Sequence, residues 1–178
     1  LDRLTGKKLW VSKNKKKHLD SFIVHDGNVF ITEDNGSLYK LDGNSGEVLW
    51  RSRLECDYLS PPLVFHEEVL VMSDSGILYA INIETGKTTW SVDFDFERHS
   101  NLVISQENIF VIGDIVYLID REHRNIRQTF NIDSNIVDSV VSSGKTAAIA
   151  TKNNRIHFFD IDSGKKLWSK SLKNITGK

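Results

Sequence analysis

The 178-residue chain is poor in the residues that usually announce chemistry. It has one cysteine, Cys56, two prolines and one methionine, and its 23 Lys and Arg against 24 Asp and Glu leave a formal net charge of −1. A single cysteine excludes an internal disulfide and any multi-cysteine metal site. A net charge near zero removes the global electrostatic reason to bind nucleic acid. No apolar run approaches the roughly 20 residues of a bilayer-spanning helix. No segment has the charged, apolar and small-residue order of a signal peptide. P-loop, dinucleotide, HExxH and G-x-S-x-G phrases are also missing. The remainder, 39% hydrophobic and 26% charged, has the composition of a globular chain, and the length predicts one domain. Composition names no activity.

What is present is a repeat. Trp10, Trp50 and Trp90 lie 40 residues apart, Phe130 falls at the next step, and Trp168 follows after 38. Similar phrases end at the tryptophans: DRLTGKKLW from Asp2, DGNSGEVLW from Asp42, NIETGKTTW from Asn82 and DIDSGKKLW from Asp160. Upstream, Gly36-Ser37-Leu38-Tyr39 matches Gly76-Ile77-Leu78-Tyr79, with further copies at Asp114–Tyr117 and Asn154–His157. Between tryptophans lie short runs rich in Val, Ile, Tyr and Phe, at 22–24, 29–32, 38–41 and 48–51, then 63–65, 69–72, 78–81 and 88–92. Clusters of Gly, Asn, Asp and Ser separate them, which reads as strands joined by hairpins. Pro61 and Pro62 sit at a copy boundary where a first strand begins, a place that tolerates proline. A four-stranded unit of about 40 residues is a propeller blade. The reading is a single all-β domain: a partial blade over 1–13, then full blades over 14–56, 57–96, 97–134 and 135–174.

The phrase before each Trp has a physical logic. An Asp or Asn at the end of the third strand can bond the turn backbone, as can Ser45, Thr85 and Ser163. Gly46, Gly86 and Gly164 suit a φ > 0 position. The Trp then offers a large flat surface to a neighbouring blade, its indole N–H seeking one acceptor. The third copy departs most, since Asp120 to Phe130 spans ten residues and has Arg124-Asn125 in place of the glycine. That blade is therefore expected to dock less tightly, and Trp90→Ala to cost more than Phe130→Ala.

These phrases resemble the tryptophan-docking motif of the quinoprotein-type, or PQQ-like, β-propeller repeat family. That motif has Ala first, Asp third, Thr sixth, Gly seventh and Trp eleventh. Ala80, Asn82, Thr85, Gly86 and Trp90 follow it best, while Lys40 and Phe158 stand at the Ala position of two other copies. Rings of the family resemble the larger propellers, of seven or eight blades. About four copies therefore imply an open arc or part of a larger ring, with apolar blade faces that invite self-association.

The family's dehydrogenases resemble a quinone held beneath a vicinal disulfide with a calcium-type ion, and a lone Cys56 cannot supply that disulfide. Among His18, His25, His66, His99, His123 and His157 no metal-ligand pair stands out, and His157 occupies the position of Tyr39 and Tyr79. Asp93, Asp95 and Glu97 alternate with Phe94 and Phe96 as a strand end with one wet face. Glu67-Glu68 reads as a hairpin turn, and the basic stretch Lys13–His18 as an exposed connection. Cys56 reads as a buried small hydrophobe. Asn35 and Asn174 open glycosylation sequons at a frequency chance explains. No catalytic, cofactor-binding or metal-ligating residue is therefore assigned. The functional expectation is a non-enzymatic scaffold that binds a protein, similar to the outer-membrane assembly lipoproteins of the BamB type, with an extracytoplasmic location. Two alternatives stay open: a piece of a quinoprotein dehydrogenase whose cofactor pocket lies elsewhere, and a lumenal sensor-type propeller of the secretory pathway.

Overall fold

The computed structural model describes residues 5–11, 19–94, 101–113, 115–132 and 137–172. These form sixteen strands and, among the described residues, no helix. The first sheet comprises β1 (Leu19–His25), β2 (Asn28–Glu33), β3 (Ser37–Asp42) and β4 (Val48–Arg53); the second comprises β5 (Leu63–Phe65), β6 (Glu68–Met72), β7 (Ile77–Asn82) and β8 (Thr88–Asp93). The third holds β9 (Asn101–Ser105), β10 (Asn108–Ile112), β11 (Val116–Asp120) and β12 (Asn125–Phe130). The fourth holds β13 (Val137–Ser143), β14 (Thr146–Thr151), β15 (Arg155–Asp160) and β16 (Lys166–Ser171). Each sheet is antiparallel with its strands in chain order, the four-stranded meander of a propeller blade. The chain divides into two compact units, Leu1–Glu97 and Arg98–Lys178.

Alternation along the strands gives each sheet two faces. In the first unit, Phe30, Leu38, Ile23 and Trp50 of the first sheet pack with Val69, Val71, Ile81, Val64 and Tyr79 of the second, and Leu54 and Leu59 from the connection complete the layer. In the second unit, Phe110, Ile112, Val116, Leu118 and Phe130 meet Val140, Ala147, Ile149, Phe159 and Ile161. Each such side chain contributes about 1.5–3 kcal/mol on full burial.

Register corrects the expected alignment of the third copy. Trp50 pairs with Lys40, Trp90 with Ala80 and Trp168 with Phe158, each beside a one-residue irregularity in the ladder. In the third sheet the residue so placed is Gln128, opposite Leu118, with the same irregularity. Gln128 lies eight residues after Asp120, as Trp50 lies eight after Asp42, so the turn is not longer. Arg124, at φ 57, takes the left-handed position that glycine fills elsewhere. Phe130 instead opposes Val116 and is fully buried. It is a core residue and not a docking one, which removes the reason for ranking Trp90 above it.

Candidate functional site

The turn between the third and fourth strands is built by one local device. Asp42 Oδ1 accepts from Asn44 N, Ser45 N and Ser45 Oγ at 3.0, 2.7 and 2.9 Å. Asn82 Oδ1 accepts from Glu84 N and Thr85 N, and Asp160 Oδ1 from Ser163 N and Oγ. Asp120 replaces the hydroxyl with an imidazole: Oδ1 accepts from His123 N, and Oδ2 lies 2.9 Å from His123 Nδ1. The backbone bonds to Asp42 and Asp120, and the Ser163 hydroxyl bond to Asp160, hold these three carboxyls below their ordinary range. The bond to Asp120 raises the His123 ring above its ordinary value.

The glycine of each turn is a seat. At Gly46, φ +74, an added Cβ would come within 2.5 Å of the Trp10 ring, and at Gly86, φ +69, within 2.8 Å of the Trp50 ring. Only a residue lacking Cβ lets the indole lie this close. The indole N–H donates to the carbonyl three residues before the glycine: Trp10 Nε1 to Gly43 O at 2.9 Å and Trp50 Nε1 to Ile83 O at 3.0 Å. At Gly164 the occupant is the Gln128 side chain. Around the first-unit seat, Lys40 is buried, with Nζ donating to Ile83 O at 3.1 Å and pairing with Glu84 at 3.0 Å. In the second unit, Arg127 Nη2 reaches Asp162 Oδ1 at 2.6 Å, and Ser142 donates twice to Ser105, from N to Oγ and from Oγ to the carbonyl.

Trp90 is anchored differently. Its indole donates to Glu68 Oε1 at 3.0 Å, and Thr89 Oγ1 donates to the same oxygen at 2.8 Å. Glu68 begins β6 and is buried, so only Glu67 belongs to the expected hairpin turn. The reading of Glu68 as a turn residue fails because a buried indole and a hydroxyl solvate its carboxylate in place of water.

The described histidines do not converge. His25 lies 3.4 Å from Asp26, His66 sits at a turn with φ 54, and His157 is buried and stacked 6.4 Å from Phe159. His157 opposes Ile149 as Tyr39 opposes Ile31, the structural position expected for it. His18, His99, the basic stretch Lys13–His18, Asp95, Glu97 and Asn174 lie outside the described residues. Among the described residues no group of three or more His, Cys, Asp or Glu is arranged to hold a metal ion.

One concavity, of about 760 Å³, opens at the end of the first unit opposite the seats, lined by Arg53, Glu55, Cys56, Asp57, Asp74 and Ser75. Its loops are tied together: Arg53 Nη1 donates to the Leu54 and Cys56 carbonyls, Asn35 N to Asp57 O, and Asp74 N to Tyr58 O. Burial and then the Asp74 charge push the Cys56 thiol up to about 11. A thiol raised in this way is protonated at neutral pH, which disfavours nucleophilic attack. Three carboxylates around one guanidinium suit a cationic side chain better than a phosphate.

A family model described as outer membrane protein assembly factor BamB matches residues 1–125. The chain belongs to this PQQ-like repeat family. No curated protein sequence matches it. The BamB-type fold is shared with the crystal structure of BamB from Moraxella catarrhalis, at 14% identity and a TM-score of 0.65, covering 85% of this chain and 51% of that one. The computationally designed Ika8 protein is similar at 12% identity and a TM-score of 0.71, covering 85% and 48%. The chain spans about half the length of these two structures. A quinone of the kind found in the dehydrogenases does not fit the residues described: Cys56 has no cysteine partner, and the carboxylates near it are exposed rather than gathered as ligands. Sequence reasoning missed Gln128, Arg127, Lys40 and Glu68. Counting eight residues from Asp120 would have found Gln128.

Proposed function

We propose that the chain is a non-enzymatic β-propeller scaffold that binds a protein partner in an extracytoplasmic, periplasmic assembly. Membership of a family described as an outer membrane protein assembly factor carries this reading. Its partner-binding surface is the loop end of the first unit, where Glu55, Asp57 and Asp74 surround a concavity whose loops are tied by the Asn35–Asp57 and Asp74–Tyr58 backbone bonds. An acidic, solvated concavity on hydrogen-bonded loops selects a basic segment with little ordering cost on its own side.

The test pairs two titrations on the folded chain. Binding of outer-membrane assembly subunits is measured with the wild type and with a Glu55→Gln, Asp57→Asn, Asp74→Asn triple variant. Stoichiometric binding, weakened at least about tenfold in the variant, supports the scaffold and its surface. Saturable binding of pyrroloquinoline quinone with calcium, with turnover of an alcohol or sugar, overturns it.

A further inference from the structure

We propose that the outer strand of the fourth sheet docks on the first sheet of a second copy of this chain, in the seat that Trp10 fills within its own chain. Gly6-Lys7-Lys8-Leu9-Trp10 and Gly164-Lys165-Lys166-Leu167-Trp168 are the same five residues. The first copy of that phrase is docked, with the Trp10 ring on Gly46 and its indole donating to Gly43 O. The second copy is not. Trp168 stacks on its own Phe158 at 3.9 Å and is 49% exposed, and among the described residues its N–H has no acceptor.

The sheets behind these strands match in the same way. In the first sheet the row Ile23–Phe30–Lys40–Trp50 faces the second sheet. The corresponding row of the fourth sheet is Val141–Ala148–Phe158–Trp168, with Val141 58% exposed. On the receiving side, the second sheet presents Val64–Val69–Ile81 to the first. The corresponding row of the first sheet is Val24–Val29–Leu41–Val48, with Val24 62% and Val48 51% exposed. The fourth sheet of one copy and the first sheet of another thus repeat the register and the terminal Trp of a contact the first unit already makes, with Ala148 in place of Phe30 and Phe158 in place of Lys40. Exposed apolar rows of this kind lose water-facing area on pairing.

The seat holds one indole at a time. Trp10 in its own chain and Trp168 of the second copy therefore compete, and the segment around Trp10 acts as a built-in inhibitor of association. The contact is heterologous, so its products are a two-fold closed pair or longer head-to-tail species. It needs only the docking geometry and stands apart from the scaffold reading.

Sedimentation equilibrium on the full chain tests this. The wild type should associate with rising concentration. Trp10→Ala, which vacates the seat, should strengthen association at least about tenfold. Trp168→Ala should abolish it in both backgrounds, as should Val141→Lys, a second exposed position whose change leaves the fold intact by circular dichroism. A peptide of residues 2–11 should reverse association of the Trp10→Ala chain. The proposal is overturned if Trp10→Ala stays monomeric to about 100 μM, or if both fourth-sheet variants associate like the wild type.

Discussion

The two units solve one packing problem with different side chains. In the first, an indole lies on a glycine turn, its N–H on a backbone carbonyl, with a buried lysine beside it. In the second, the same turn receives Gln128, and the contact is carried by Arg127–Asp162, the two bonds Ser142 donates to Ser105 and the Phe110–Phe130–Phe159 cluster. The seat is the constant part. Its occupant varies because the apolar layer behind it already supplies most of the burial, and an aromatic core can offset a polar plug. Docking chemistry and repeat geometry are thus separable.

The sharpest way to break this comparison is to empty the aromatic core. Phe130→Ala should cost about 3–5 kcal/mol, as much as Trp90→Ala, measured by urea denaturation. A loss under about 1 kcal/mol would place Phe130 back at a peripheral docking position. Next come the seat occupants themselves. Trp50→Ala should cost about 3 kcal/mol while Gln128→Ala should cost under about 1 kcal/mol. Equal losses would show that both plugs bear the same load. Lys40→Ala should follow at about 1–2 kcal/mol, the scale of a charge-assisted bond, since its partner Glu84 is well exposed and not left stranded in the core.

The smallest effect belongs to the turn that carries His123 and Asp120. The raised ring value means its contribution is fully present below the unfolded value near 6.5 and is lost as pH rises through the folded value. The lowered Asp120 carboxyl contributes above its unfolded value of 3.8 and loses that contribution as pH falls through the folded one. The pair therefore helps most between these limits. Proton NMR should show His123 titrating above 6.5, and Asp120→Asn should bring it back toward that value. A ring titrating at or under 6.5 in the parent chain would contradict the pairing.

Much of the fold was legible because its signals are local. The Asp…Gly turn depends on bonds spanning two to four residues, such as Ser45 N to Asp42 Oδ1, and the strand runs pair only with their neighbours in the chain. Phe130 misled because an aromatic at the expected period looks like a substitute for Trp, whereas Gln128 two residues earlier is marked only by its eight-residue distance from Asp120. Glu68 misled because a carboxylate after a turn is usually wet, and the indole that buries it arrives from 22 residues away.

The residues alone determined the blade unit: where strands begin, which turns need a left-handed residue, and which carboxylate caps each turn. Those choices are settled by steric and hydrogen-bonding limits within one hairpin. Only the tertiary structure decided which side chain fills which seat. Trp10 reaches Gly43 across 33 residues and Trp50 reaches Ile83 across the same span, while the identical phrase ending at Trp168 remains half exposed. An indole and a glycine turn can each be recognised in sequence, but their meeting depends on the sheet that lies between them.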